Sequence, residues 1–164
     1  MIILAIDPGI ATTGYGVIES RGSDVSFRDC GTIDTLSSTA TPERLRQIYT
    51  EMIGLISTYK PDEMVVEKLF FNVNVQTAMS VGQAKGVILL AASTSNVAVF
   101  EYTPLQVKQA VVGYGRAEKK QIQLMVKMLL GLPEVPRPDD AADALAAGIC
   151  HAHSKKMQSL AGGR

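Results

Sequence analysis

The chain opens on Ile2-Ile3-Leu4-Ala5-Ile6, an unbroken apolar run that ends at Asp7-Pro8-Gly9. A run without alternation predicts a strand buried on both faces, and Asp-Pro-Gly predicts the turn that ends it. Gly14-Tyr15-Gly16-Val17-Ile18 resumes as a strand, and Arg21-Gly22-Ser23-Asp24 turns it into a third over roughly Val25–Thr35. These three segments predict an antiparallel meander. Thr41-Pro42-Glu43 has the chemistry of a helix start: an N-cap hydroxyl, proline at the first position, then an acid. Leu45, Ile48, Met52, Leu55 and Ile56 recur at helical spacing to Tyr59, and Pro61 closes that helix. Glu63–Glu67 predicts a short strand, about Val75–Ser93 a helix, and Val97–Tyr102 another strand. The last third predicts helices near Pro104–Val112, Glu118–Leu130 and Asp140–His153, then a polar, disordered tail over Ser154–Arg164.

Three strands, then a helix–strand–helix–strand succession, then helices predict an α/β fold. The expected architecture is a mixed five-stranded sheet, three antiparallel strands plus parallel ones, flanked by helices. With no internal repeat, linker or low-complexity tract, residues 1–153 read as one domain.

Composition changes this picture little. A chain of 164 residues with 46% hydrophobic and 20% charged residues can bury a full core. No apolar run approaches the length that crosses a bilayer, and the N-terminus lacks the basic region of a signal peptide. Cys30 and Cys150 alone make a disulfide framework implausible, which points to a reducing cytoplasm. The formal net charge of zero, taken alone, argues against a nucleic-acid partner. Neutralising four carboxylates with metal would leave sixteen basic residues against twelve acids. Lys108, Arg116, Lys119, Lys120 and Lys127 also stand in a short stretch whose one acid is Glu118. A basic surface beside an acidic pocket is compatible with a neutral total.

The acids carry the candidate chemistry. Asp7 ends the first strand and Glu67 the fourth. Either acid alone could simply mark the chain reaching solvent, but α/β sheets collect ligands at the carboxyl ends of their strands. If the two strands are parallel neighbours, about 5 Å separates them, and two carboxylates that close need a cation or a proton. In Asp140-Ala141-Ala142-Asp143-Ala144-Leu145 the acids lie three apart, on one helix face, and the alanines let that helix approach a sheet closely. Acids favoured by the helix dipole explain Asp139 and Asp140 but do less for Asp143 in the second turn. Hard oxygen donors suit Mg²⁺ or Mn²⁺, and two such ions serve phosphodiester hydrolysis. No nucleophile elbow or P-loop competes. Cys150-His151-Ala152-His153 makes a poor zinc site, since its histidines diverge on a helix; His151 is a candidate to line the pocket.

At this point the ordered pieces resemble a family, the RuvC-type Holliday junction resolvases. Ile6-Asp7-Pro8-Gly9 with Thr13-Gly14-Tyr15-Gly16-Val17 looks like its first motif, and Val66-Glu67 followed by Phe70 like its second. The likeness continues through Val81–Val87, Phe100-Glu101-Tyr102, Val107-Lys108-Gln109, Val111-Val112-Gly113 and Ala117-Glu118-Lys119 to Asp140–Ala146, in order from about residue 2 to 153. The resemblance implies a ribonuclease H-like fold and a Mg²⁺-dependent homodimer that resolves four-way DNA junctions by paired symmetric nicks. It also implies partnership with a RuvA–RuvB branch-migration machine. On this resemblance the catalytic, metal-holding acids are Asp7, Glu67, Asp140 and Asp143, with two ions per site. Phe70 matches an aromatic that stacks on a base, while Lys108 and Lys119 match DNA-binding positions; Lys85 and Lys120 are further candidates for phosphate contact.

Each of these residues also has a plainer reading. Phe70 and Phe71 could be core, and a lysine on a helix is usually only solvated. Asp139 competes with Asp140: after Pro138 it would serve as an N-cap, and it shares a face with Asp143 at i, i+4. The apolar surface of the Val75–Ser93 helix (Met79, Val87, Leu90) could be dimer interface or core. Three rival functions stand beside the resolvase: an RNA-processing nuclease, a non-catalytic junction-binding module, and an actin-like or sugar-kinase ATPase whose phosphate loop the Asp7–Gly16 hairpin resembles. The last needs two related lobes, and this chain supplies one such hairpin.

Overall fold

The computed structural model describes residues 1–22, 24–68 and 75–161. Strands β1 (Ile2–Asp7), β2 (Thr12–Arg21) and β3 (Asp24–Asp34) precede helix α1 (Thr41–Tyr59). Then come β4 (Glu63–Glu67), α2 (Val75–Thr94) and β5 (Ala98–Tyr102), and finally α3 (Pro104–Val112), α4 (Lys119–Leu129) and α5 (Asp139–Ala161). The five strands form one sheet in the order β3-β2-β1-β4-β5. β2 pairs antiparallel with β1 and β3, while β4 runs parallel to both β1 and β5.

β1 lies at the centre, so both of its faces are covered, and Ile3, Leu4, Ala5 and Ile6 are fully buried. Strand alternation sorts them into two cores. Ile3 and Ala5 join Ile18 and Val65 beneath Leu145 and Ile149 of α5. Leu4 and Ile6 join Val17, Met64 and Val66 beneath Ile48 and Met52 of α1 and Ile88 of α2. The sheet is thus sandwiched between α1 and α2 on one face and α5, with α3 and α4, on the other. The same alternation turns Asp7 and Glu67 toward α5.

The fold agrees with the expected mixed sheet, and two details differ. Thr41 is itself the first helical residue of α1; extended Ala40 is the cap and makes no side-chain bond. Proline lacks an N–H wherever it sits in a first turn, so Pro42 fits one position further in. The helix expected to end near His153 runs on to Ala161, so most of the segment expected as a tail is helical. Lys155 Nζ lies 2.6 Å from Glu63 Oε1, and Ser154 Oγ donates to the Cys150 carbonyl at 2.8 Å. The first bond anchors the extra turns to the sheet, and the second lies within the helix itself.

Candidate active site

Asp7 and Glu67 stand side by side, one residue beyond the paired Ile6 and Val66 of neighbouring parallel strands. On the other flank of β1, Asp7 pairs with Gly14 of β2. Gly14 is where α5 touches the sheet. A Cβ added there would meet the Asp140 carbonyl oxygen at 2.1 Å, so only glycine lets the first turn of α5 come so close. A Cβ at Gly16 would likewise fall 2.7 Å from Leu145 Cδ2. The glycines of the hairpin and the alanines of the helix are therefore two halves of one contact, and it delivers Asp140 and Asp143 to the ends of β1 and β4.

The acids act on one another. Burial first, then the charges of Glu67, Asp143 and Asp140, push the Asp7 carboxyl up to about 8, with a hydrogen bond to Glu67 adding to the rise. Glu67 is raised by burial and by Asp143, against the bond from Asp7 and the charges of Lys85 and Lys108. Burial also raises Asp143, opposed by Lys119. At neutral pH a proton therefore sits on Asp7, where it relieves the repulsion of the cluster. Among the described residues no three His, Cys, Asp or Glu side chains already enclose a single ion position. The donor set still fits a hard divalent cation: it is all carboxylate, partly desolvated, and short of positive charge.

This protonation sets a pH dependence. The folded pKa of Asp7 lies far above its unfolded value of 3.8. Between those values the native state binds more protons than the unfolded chain, so stability falls as pH rises. In metal-free buffer the Tm is expected to fall between pH 5 and pH 9 as Asp7 ionises, and millimolar Mg²⁺ should restore most of the loss at pH 9. A Tm that rises over that range would place the proton elsewhere.

Asp139 stands at the edge of the cluster, where it shares Lys119 with Asp143 and its charge adds to the rise of Asp143. The Asp139 carboxylate accepts from Gln123 Nε2 at 2.9 Å and lies 3.2 Å from Lys119 Nζ, and those two partners hold it below the usual carboxylate range. Asp140 backs onto Gly14 and its charge is felt at Asp7, so the geometry favours Asp140 over Asp139.

A cavity of about 230 Å³ opens beside the acids, with Glu67, Asp143, Lys108 and Lys119 at its wall and Val107 and Ile122 beneath. Lys119 Nζ also lies 3.0 Å from Asp143 Oδ2. Lys120 is exposed on α4 and lines a separate depression with Val135 and Arg137. Lys85 differs from its expected place at a phosphate. Its side chain is only 12% exposed, donates to the Glu67 carbonyl at 3.2 Å and pairs with Glu101. Buried lysine needs such partners, and these bind the ends of β4 and β5. His151 is likewise not at the pocket: it is fully buried near the opposite end of β4, bonded to Glu63. Phe70 lies outside the described residues.

Sequence reasoning passed over Glu63 and Glu101. The available signal was no more than an acid in a five-residue strand between two helices. Its partners are distant in the chain, which no periodicity reveals.

Residues 3–151 match the model of the crossover junction endodeoxyribonuclease RuvC family. The chain belongs to that family. A RuvC from Alkaliphilus metalliredigens is 58% identical over 160 residues, covering 98% of each chain. The solved structure of Thermus thermophilus RuvC is 36% identical, covers 96% of this chain and 97% of that one, and superposes with a TM-score of 0.90. A T. thermophilus RuvC solved in complex with a Holliday junction substrate gives 0.92 at 36% identity, covering 96% of each chain. The ribonuclease H-like fold and the endodeoxyribonuclease class of the RuvC family follow for this chain. Among the described residues no helix is long and apolar enough to cross a membrane.

Proposed function

We propose that this chain resolves Holliday junctions by nicking paired strands symmetrically, through hydrolysis at Asp7, Glu67, Asp140 and Asp143. The observation that carries the reading is the convergence of these four carboxylates on the α5 face of the sheet. It is supported by a relative of the same fold solved with a Holliday junction substrate. The four acids would hold two Mg²⁺ ions, with Mn²⁺ able to substitute. When bound, such ions activate a water and stabilise the leaving alkoxide of a phosphodiester. Lys108 and Lys119, at the cavity wall, would receive the scissile phosphate and its neighbour, and Lys120 the backbone beyond. Phe70, so close to Glu67 in the chain, is proposed to stack on an unpaired base. Lys85 binds Glu67 rather than DNA in this reading.

Paired nicking needs two sites, hence a homodimer. The exposed face of α2, with Met79 65% and Leu90 54% exposed, supports a second copy there. A RuvA–RuvB machine would deliver the junction, and the free thiols of Cys30 and Cys150 suit a cytoplasmic protein. Neither RNA processing, a binding module without chemistry nor ATP hydrolysis has an observation in its favour.

The test uses a synthetic four-way junction, the matched duplex and a single strand, each with and without Mg²⁺. The junction alone should be cut, in two strands of like polarity, and only with metal. Equal cleavage of plain duplex would defeat junction selectivity and leave the nuclease.

A further inference from the structure

His151 is the one fully buried histidine among the described residues, and the proposed hydrolysis does not use it. Its Nε2 lies 2.5 Å from Glu63 Oε2, and its Nδ1 lies 2.9 Å from the Tyr102 hydroxyl. Its ring packs on Phe100 at 4.7 Å between centroids. Lys155 completes the group, bonded to Glu63 Oε1 and lying 4.5 Å above the Phe100 ring. Burial lowers the His151 pKa against the pull of Glu63, so the imidazole is neutral. A neutral ring must then donate from Nε2 to the carboxylate and accept the Tyr102 proton at Nδ1. Both ring nitrogens are thereby committed, one to β4 and the other to β5.

The position along α5 gives this group its meaning. Asp140 and His151 are eleven residues apart, just over three turns, so they share a face about 16 Å apart. Glu63 and Glu67 are four residues apart on one face of β4, about 13 Å. Helix α5 therefore meets β4 twice, at the carboxylate cluster and at His151–Glu63. Between those points its buried face carries Ala144, Ala147 and Gly148, with Leu145 and Ile149 seated in the core against Ile3, Ala5, Ile18 and Val65. Apolar packing of this kind holds the helix to the sheet but is not directional. Hydrogen bonds with fixed donors and acceptors add a directional constraint on its axial position.

We propose that Glu63, His151 and Tyr102 form a positioning lock that fixes the axial register of α5 on β4 and β5, and so holds Asp140 and Asp143 against Asp7 and Glu67. His151 is a positioning residue, remote from the reacting atoms. The inference rests on the metal-site reading above.

The test compares the full-length protein with His151→Phe, which keeps the ring contact and removes both bonds, and with Tyr102→Phe, which removes one. Mn²⁺ binding is measured by calorimetry, junction binding by fluorescence anisotropy without metal, and kcat and KM on the junction. A core-trimming control, Ile149→Val, lowers stability without touching the lock. His151→Phe is expected to weaken Mn²⁺ binding and lower kcat by about 10–100-fold each, the range for groups that orient metal ligands. Metal-free junction binding and KM should stay within about twofold, and Ile149→Val should bind Mn²⁺ as wild type does. Tyr102→Phe should shift Mn²⁺ binding and kcat the same way by less, and it decides the matter if His151→Phe does not fold. Wild-type Mn²⁺ affinity and kcat in the folded lock variants would overturn the lock. Loss of Mn²⁺ binding in Ile149→Val equal to that in the lock variants would overturn it too, by making the effect one of stability. If wild-type protein itself bound no Mn²⁺ and cut no junction, the metal-site reading would fall first.

Discussion

Asp7→Asn is expected to abolish junction cleavage, by at least about 10³-fold in kcat, while junction binding without metal is unchanged. The loss should exceed the ~10–100-fold typical of disturbing a group outside the ligand set. Asp7 is the member of the cluster with neighbours on every side: Glu67 on β4, Gly14 on β2, and the charges of Asp140 and Asp143. Asparagine keeps its shape and its hydrogen bonds but cannot offer the anionic oxygen a hard cation requires. The same substitution should stabilise the metal-free protein at alkaline pH. With the carboxyl pushed up to about 8, the wild-type protein at pH 9 carries a desolvated charge among three other acids. The amide carries none, so the variant should melt several degrees higher at pH 9, at roughly 2–4 °C per kcal/mol for a chain this size. The gap should narrow as the pH falls toward 3.8, below which the carboxyl is protonated in both the folded and the unfolded state. Lost activity with gained stability is the combination that separates a ligand from a structural residue. An Asp7→Asn protein that still cuts, or that melts lower than wild type at pH 9, would remove Asp7 from the site.

How far this site could be read from sequence depended on whether its determinants are local. The continuous run Ile3–Ile6 specifies a central strand, because no other place in a small sheet buries every side chain. The period-2 alternation that follows from it gives Asp7 its face, and the i, i+3 spacing gives Asp140 and Asp143 a common one. Those features needed only neighbours in the chain. Charged side chains with remote partners were not legible in the same way. Lys85 has the sequence of an exposed helical lysine, yet it is held by Glu101 and the Glu67 carbonyl across two strands. His151 lies in an apolar helix whose partners, Glu63 and Tyr102, come from separate strands. The end of α5 was misjudged for the same reason: the polar run after His153 looks like a tail until Lys155 meets Glu63. The contact of Asp140 with β2, which favours it over Asp139, is likewise one that spacing does not encode.

That contact predicts the second large effect. Gly14→Ala should destabilise the protein and cripple cleavage together, although only a single uncharged methyl group is added. The new Cβ would lie 2.1 Å from the Asp140 carbonyl oxygen, 2.3 Å from its carbon and 2.9 Å from its Cβ. Two of those are backbone atoms, so no rotamer change relieves them. The start of α5 would have to retreat by more than 1 Å to reach the 3.4 Å of an ordinary contact. Overpacking of this kind costs about 1–3 kcal/mol. A displacement near 1 Å in a ligand-bearing element costs on the order of 10²-fold in rate. Gly54→Ala is the matched control: it lies in α1 with nothing within 4 Å of its added Cβ, and helical alanine there should stabilise by about 0.5–1 kcal/mol. Because the alanine at 14 acts by lifting Asp140 rather than by removing a ligand, raised Mn²⁺ or Mg²⁺ should recover part of its activity, whereas no concentration should recover Asp7→Asn. Wild-type melting and cleavage in Gly14→Ala would mean that α5 does not rest on β2 as described, and the delivery of Asp140 and Asp143 to the strand ends would need another cause.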